Sequence, residues 1–222
     1  MGASDEEFFR PLLVSPGTFP VDHDMTPRPD TTLDKLERLR PAFDRARGTL
    51  TAGNSSPLTD GAAACWVASN DGARALPNSL PRARLLDWEQ AAIDLQRDGL
   101  LIAPAIAVAR LLERHDLGFE DIGLWEFHEA FAAQVLSTIQ AVQNREWVVD
   151  RAGVDRDFGS FPSDRVNPHG GSIALGHPFA ATGARMLSQT VRKLSTRPGG
   201  TLAVVSICAA GGLGHVALLE AV

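Results

Sequence analysis

Three stretches of the chain repeat apolar residues at the spacing of an amphipathic helix, at residues 100–115, 129–142 and 180–194. Short apolar runs lie between and after them and predict strands at residues 82–88, 122–127, 201–208 and 215–221. From residue 82 the predicted order is strand, helix, strand, helix, loop, helix, strand, strand, with residues 144–168 mostly loop. This alternation predicts a layered α/β domain in which helices pack on a mixed sheet.

The pattern before residue 82 is weaker. Prolines crowd residues 1–30, which are predicted to form a loop. Residues 32–39 have the apolar spacing of a short helix that Pro41 ends. Residues 49–60 are rich in glycine, serine and asparagine and predict a second loop. Little regular structure is therefore expected in this part of the chain.

Two short stretches before residue 82 bear on the boundary of the α/β domain. Residues 60–69 suit a helix by their alanines and a strand by Cys65, Trp66 and Val67, so the pattern leaves both open. Prolines bracket polar residues at 73–81 and predict a boundary there.

The run from residue 201 to 219 has no charged side chain and is long enough to be mistaken for a membrane span. Gly211, Gly212 and Gly214 divide it into two shorter runs, so two strands joined by a turn are the better interpretation. The first ten residues contain three acidic side chains and no apolar core, which does not fit a signal peptide. We therefore expect no transmembrane segment.

Composition narrows the function further. The formal net charge is −6 and no basic block stands out, so a nucleic-acid partner has no electrostatic support. Hydrophobic residues make up 44% of the chain and charged residues 22%, a globular balance. Two cysteines are too few for a disulfide scaffold and suit a reducing compartment, so a cytoplasmic location is expected.

Three segments carry residue types that do chemistry. In the first, residues 125–132, His128 and Glu129 lie where a predicted strand gives way to a helix. An adjacent histidine and glutamate can transfer a proton or position a water, although a histidine here is more often a helix cap or a surface residue. In the second, residues 167–178, dense glycines allow close backbone approach, and Gly176-His177-Pro178 holds an imidazole in a constrained turn. Such a histidine can activate a thiol or stabilise an oxyanion, or it can be incidental to a structural turn.

The third segment, residues 206–214, places Cys208 at the end of an apolar strand, followed by small residues and glycines. A substrate can reach such a thiol, although most free cysteines are buried and inert. Cys65 is predicted to be of the buried, inert kind. Motifs for phosphate-binding loops and zinc sites are missing from the sequence, so nucleotide hydrolysis and zinc chemistry have no support.

Taken together, these segments resemble the thiolase family, the acetyl-CoA acyltransferases. In order along the chain, the matching stretches are Leu39 to Phe43, Gly48 to Asn54, Asp60 to Ala63, His128 to Phe131, Gly176 to Pro178, and Cys208 onward. The similarity extends from about Pro27 to the end of the chain. His128 in place of asparagine and Cys208-Ala209-Ala210-Gly211 are similar to the subgroup of fatty-acid β-oxidation thiolases, which includes the β-subunits of trifunctional complexes.

The resemblance implies a fold and its division. The fold would be the thiolase-like layered α-β-α arrangement, as a C-terminal core domain with part of the N-terminal core and loop domains ahead of it. Residues 1–47 would be a remnant of the loop domain, residues 48–80 the end of the N-terminal core domain, and residues 81–222 the C-terminal domain. Thiolases are dimers or tetramers, so an oligomer is expected as well.

The resemblance also implies roles. His177 would activate the nucleophilic cysteine and help to hold the thioester oxygen, and His128 would complete the oxyanion site directly or through a water. Cys208 would take and return the proton at the α-carbon of acetyl-CoA. Positions near bound coenzyme A match Arg28, Ser56 and Phe131. No metal or other cofactor is implied, because coenzyme A and acyl-CoA are substrates.

A thiolase also needs a nucleophilic cysteine in its N-terminal half, and Cys65 is not in that motif. Three interpretations follow. The chain is half of a split enzyme whose second polypeptide supplies the cysteine, an inactive truncated product, or a non-catalytic scaffold that binds acyl-CoA or another protein. The retained Cys208, His128 and His177 favour the first interpretation or a recent truncation. In each case the half that is present should expose a large apolar face.

Overall fold

The computed structural model of the chain describes residues 24–222, so the predictions for residues 1–23 lie outside it. Its centre is a four-stranded sheet in the order β1-β4-β3-β2. Neighbouring strands β1/β4 and β3/β4 are antiparallel, and β2/β3 are parallel. The bounds are β1 Ala83–Ala92, β2 Ile122–Phe127, β3 Leu202–Ala209 and β4 Leu213–Ala221. The predicted mixed sheet is confirmed, with all four strands close to their predicted positions.

The charge-free run at 201–219 forms two strands and a turn, as predicted. Gly211 and Gly212 make the turn with φ angles of +92° and +77°, which only glycine adopts without strain. Across residues 24–222, no helix is long and apolar enough to cross a membrane.

Helices cover the outer face of the sheet. They are α4 Ala103–Arg114, α5 Ala132–Gln143 and α6 Arg145–Ala152, with the single-turn α3 Leu95–Asp98 preceding α4. The core between helices and sheet includes the fully buried Trp125 and Phe119, whose rings lie edge to face at 6.1 Å between centroids. The amphipathic periodicity predicted α4 and α5 correctly.

The prediction that residues 144–168 are mostly loop was wrong for their first part, which forms α6. The side chain of Asn144 accepts a hydrogen bond from the backbone N–H of Trp147 and so caps the helix at its start. Gly153 ends it in the left-handed conformation at φ +71°. Both capping residues are present in the sequence, but the short helix has too little apolar periodicity to be predicted from the pattern.

One long helix, α8 Ala180–Leu194, covers the inner face. Its Met186 and Leu194 pack with Leu124 and Val205 in a second buried cluster. Within β1, Ala83 packs against this cluster, but the cluster does not cover Trp88 farther along the strand. Trp88 lies directly opposite Ala217, a member of the inner cluster, yet Trp88 is 58% exposed. Residues 24–222 therefore leave part of the inner face uncovered.

Residues 24–82 contain two short helices, α1 Leu33–Glu37 and α2 Asn70–Ala75, and no buried residue. The predicted helix at 32–39 is confirmed, and residues 60–69 form neither of the two elements considered for them. Cys65 is exposed, so its predicted burial was wrong: no other part of residues 24–222 covers it, and its neighbour Trp66 is 90% exposed. Between this run and α8 lies an open groove of about 2250 Å³.

Candidate active site

The parallel pair β2/β3 brings His128 and Cys208 to the same edge of the sheet. His128 is the first residue after β2, and its N–H donates to the carbonyl of Ser206 on β3 at 2.8 Å, which extends the ladder by one residue. Cys208 lies near the end of β3. Because parallel strands end at the same edge, residues 80 positions apart come into contact there.

His177 reaches the same edge from the turn between the four-residue helix α7, Ser172–Leu175, and α8. Gly176 precedes it at φ +96°, and a Cβ there would lie 2.4 Å from Cγ2 of Thr59. Nδ1 of His177 is 2.7 Å from the hydroxyl of the buried Thr182. Backbone and ring are therefore both fixed, as the Gly-His-Pro motif predicted.

The three predicted catalytic residues form one group. The ring centroids of His128 and His177 are 4.4 Å apart. Nδ1 of His128 lies 3.3 Å from Sγ of Cys208 and 3.2 Å from the carbonyl oxygen of the same residue. We name these three side chains the His–His–Cys cluster.

Burial controls the charges of the cluster. It lowers the pKa of His128 to about 4, and the neighbouring His177 acts in the same direction. Burial also lowers the pKa of His177, followed by the positive charge of Arg185. It raises the pKa of the Cys208 thiol to about 12, against the opposing effect of backbone N–H groups of Cys208 and Ala130. At neutral pH, therefore, His128 is uncharged and Cys208 is a thiol.

One ring nitrogen in the cluster is buried without a partner. Within residues 24–222, Nε2 of His128 makes no hydrogen bond. Leaving such an atom unpaired costs free energy, so a substrate oxygen or a water is the expected partner. A neutral imidazole has one N–H: Nδ1 carries it when it donates to the Cys208 carbonyl, and Nε2 carries it when Nδ1 accepts from the Cys208 thiol. The arrangement can thus present a hydrogen-bond donor beside a thiol.

A segment from the N-terminal region, residues 54–59, crosses the cluster and links the two histidine loops; we name it the strap. Ala132 N–H donates to Asn54 O at 2.9 Å, and His177 N–H donates to Pro57 O at 2.8 Å. Ser56, predicted to lie near coenzyme A, is part of the strap and donates through Oγ to Ala130 O at 3.2 Å.

Phe131, also predicted to lie near coenzyme A, begins α5 beside the strap, and its ring is edge to face with Phe43 at 6.1 Å. Arg28, the third residue of that prediction, is exposed in the turn before α1, where its carbonyl accepts from the Thr31 hydroxyl at 2.8 Å. The structure brings Ser56 and Phe131 to the cluster by backbone contacts, and none of the hydrogen bonds among residues 24–222 does so for the Arg28 side chain.

The sequence did not reveal Gln134, whose Oε1 is 3.6 Å from Sγ of Cys208. The sequence offered one indication of this contact: Gln134 lies one helical turn after Phe131, on the side of α5 that faces the cluster. The described residues contain no group of three or more histidine, cysteine, aspartate or glutamate side chains that could hold a metal ion.

Comparison with known families and proteins adds to this geometry. The family model "Thiolase, C-terminal domain" matches residues 79–221, and "Thiolase, N-terminal domain" matches residues 12–71. A 3-ketoacyl-CoA thiolase of Shewanella loihica is 42% identical over 200 residues, which cover 90% of this chain and 45% of that protein. The chain therefore spans about half the length of the curated relatives it matches.

Solved structures agree in fold. The dimeric peroxisomal thiolase of Saccharomyces cerevisiae superposes with a TM-score of 0.76 at 30% identity, over 98% of this chain and 49% of that one. Human mitochondrial 3-ketoacyl-CoA thiolase in complex with CoA gives a TM-score of 0.72 at 29% identity, over 92% and 46%.

Proposed function

This chain belongs to the thiolase family, and from that premise we propose that it forms the C-terminal, proton-transferring part of an acyl-CoA C-acyltransferase. The reaction would be thiolytic cleavage of 3-ketoacyl-CoA by coenzyme A, or the reverse condensation. The observation that carries the proposal is the His–His–Cys cluster with its unpartnered Nε2 of His128.

In the cleavage direction, the Cys208 thiol would protonate the α-carbon of the departing acetyl-CoA enolate as the bond between the α-carbon and the ketone carbon breaks. A buried thiol with a raised pKa suits this step, because it keeps its proton until a strongly basic carbon appears. In condensation the same sulfur would remove that proton. Arg28, Ser56 and Phe131 remain our proposed coenzyme A contacts.

His128 and His177 would stabilise the oxygen that becomes negative in this step. Nε2–H of His128 would donate to the enolate oxygen while Cys208 remains a thiol that donates to Nδ1. His177 would in addition activate the nucleophilic cysteine that attacks the ketone. We propose that a second polypeptide supplies that cysteine, because Cys65 is not in the nucleophile motif of the family and is exposed on the run before α2.

The nucleophile would come from the rest of a thiolase core, which we propose to occupy the groove between residues 60–69 and α8. Large apolar side chains line this groove and are exposed in the present chain: Leu58, Trp66, Val67, Phe179 and Val222. Covering them is favourable at roughly 25 cal/mol per Å² of apolar surface buried.

The division into segments 1–47, 48–80 and 81–222 belongs to this proposal, as do an oligomeric state and a cytoplasmic location. So does a role in β-oxidation, which the histidine at position 128 favours.

Thiolysis of acetoacetyl-CoA tests the proposal. The chain is assayed alone and together with a polypeptide carrying the remaining thiolase sequence, either from an adjacent reading frame or from the part of the Shewanella loihica relative that this chain does not cover. We expect activity only with the second polypeptide, and Cys208→Ala should abolish it while Cys65→Ala should not. Coenzyme A binding without activity in any combination would favour the scaffold interpretation, and no binding would favour an inactive product.

A further inference from the structure

Glu129 follows His128 directly, and the sequence suggested the two as a proton-transfer pair. In the structure the Glu129 carboxylate bonds other groups instead. Its Oε1 accepts from Nδ2 of Asn167 at 2.6 Å, and its Oε2 accepts from the backbone N–H of Ile173 at 3.1 Å. Both oxygens are thus held by groups on the loop that leads to His177.

Asn167 is itself bound to the end of β2. Its backbone N–H donates to Trp125 O at 2.8 Å. Its Oδ1 accepts from Phe127 N at 2.8 Å, and its Nδ2 donates to Phe127 O at 3.0 Å. This pairing fixes which way round the amide lies, because only the oxygen can accept from a backbone N–H. The NH₂ group must therefore face Glu129.

The other side of the carboxylate fills the space where α7 begins. A Cβ on Gly171 would lie 2.5 Å from Cδ of Glu129, so only glycine lets the two approach. Ile173, which donates to Glu129, belongs to the single turn of α7, and Gly176 and His177 follow that turn. One carboxylate therefore joins the strand end that carries His128 to the short helix that leads to His177.

We propose that Glu129 is a positioning residue whose carboxylate, held by Asn167, clamps α7 to the end of β2 and sets the spacing of the two histidine rings. The importance of that spacing for catalysis rests on the proposed function. The positioning itself can be measured in this chain without any thiolase activity.

The matched variants are Glu129→Gln and Glu126→Gln. Each replaces a carboxylate by a near-isosteric amide, three residues apart. Glu126 is buried and bonds Nζ of Lys193 on α8 at 2.6 Å. In Glu129→Gln, the new NH₂ group must face either Ile173 N–H or the Asn167 NH₂ group, so one of the two bonds to the loop is lost.

Two NMR readouts separate positioning from a purely structural role. Amide hydrogen exchange at Ile173 reports on the bond, and we expect Glu129→Gln to accelerate it roughly tenfold. The pH titration of the His128 and His177 rings reports on their spacing and burial. We expect the pKa of His128 to rise from about 4 by about one unit, because both its burial and its proximity to His177 decrease. Arg185 lowers the pKa of both histidines, and the charges of Glu126 and Glu129 both act on Arg185. Glu126→Gln therefore controls for the loss of a carboxylate charge, and it should change neither readout.

If Glu129→Gln accelerates exchange at Ile173 but leaves both histidine titrations unchanged, Glu129 does not position the rings and the proposal is wrong. Equal shifts of the histidines in Glu126→Gln would also overturn it. If Glu129→Gln does not fold, Gly171→Ala displaces the same carboxylate while keeping its charge, and unchanged titrations in that variant would be equally decisive. Lack of thiolase activity in the complemented enzyme would contradict the proposed function and leave these readouts unaffected.

Discussion

Residues 83–222 and residues 24–82 differ in how their apolar side chains are used. The first region buries its apolar side chains on both faces of one sheet. The second buries none, although it contains Trp66, Val67 and Leu58. Both regions match thiolase family models. The difference in burial therefore reflects how much surface of residues 24–222 packs against each region. A match to a family model therefore does not by itself imply that a region buries its apolar side chains.

The two tryptophans Trp125 and Trp66 give the largest expected contrast. Trp125 is fully buried and Trp66 is 90% exposed. Trp125→Ala should lower the free energy of unfolding by about 3–5 kcal/mol because it leaves a cavity in the outer core. Trp66→Ala should leave it unchanged. Urea unfolding followed by circular dichroism measures both, and similar losses in the two variants would contradict the comparison.

Two ion pairs give the next contrast. Lys193 and Glu126 form a pair with side chains 9% and 4% exposed, whereas Arg74 and Asp71 form one that is 72% and 85% exposed. Lys193→Met leaves a buried carboxylate without its partner and should cost about 3 kcal/mol. Arg74→Met should cost nothing measurable.

The loss in Lys193→Met should depend on pH. Burial already raises the pKa of Glu126 above 4.5, and Lys193 opposes that rise. Without Lys193 the folded state binds the proton more tightly than the unfolded state, so stability falls as pH rises through the window above 4.5. The deficit should therefore be large at pH 7 and shrink on acidification, and a deficit independent of pH would argue against a stranded carboxylate.

The contribution of His128 to stability should depend on pH in the opposite direction to that of Glu126 in Lys193→Met. Its pKa in the folded state is about 4, below its ordinary value of 6.5, so protonation favours unfolding. The stability that its burial as a neutral ring preserves is present above pH 6.5 and is lost as pH falls towards 4. From pH 7 to pH 4, we expect the wild-type chain to lose about 3 kcal/mol more than His128→Asn. Parallel profiles would mean that His128 is not buried as described.

The smallest contrast is local and requires no change in global stability. Arg74 lies in α2 among exposed residues, whereas Arg185 lies on α8 and is partly buried by Ser172 and Gln189. Limited trypsin digestion should cut after Arg74 well before it cuts after Arg185, and so release a fragment that begins at Ala75 while residues 180–194 are still intact. An initial cut after Arg185 would mean that the two regions do not differ in local stability.

Much of residues 83–222 could be predicted from the sequence because periodicity reports on burial. The strand at 122–127 and the helix at 180–194 were predicted with the bounds that the structure has. Helix α6 was missed because its ends are set by the caps Asn144 and Gly153 more than by an apolar face. Burial of Cys65 was predicted wrongly for a related reason: an apolar run predicts burial, but no surface among residues 24–222 covers this one.

The site shows the same division. The resemblance to thiolases implied His128, His177 and Cys208 as a catalytic group, whereas the local pattern around each residue left a purely structural alternative open. The contacts that assemble them could not be predicted, because they join residues distant in the chain. Pro57 holds His177 by a backbone bond, and Glu129 holds Ile173 across 44 positions. Such contacts depend on topology, which periodicity does not report.

The central claim is our proposal that residues 60–69 bind the rest of a thiolase core. Amide hydrogen exchange with mass spectrometry tests it most directly, on the chain alone and with the complementary polypeptide. We predict that β3 is protected in both samples and that residues 60–69 exchange freely alone and become protected in the complex. Protection of residues 60–69 in the chain alone, or none in an active complex, would contradict the account.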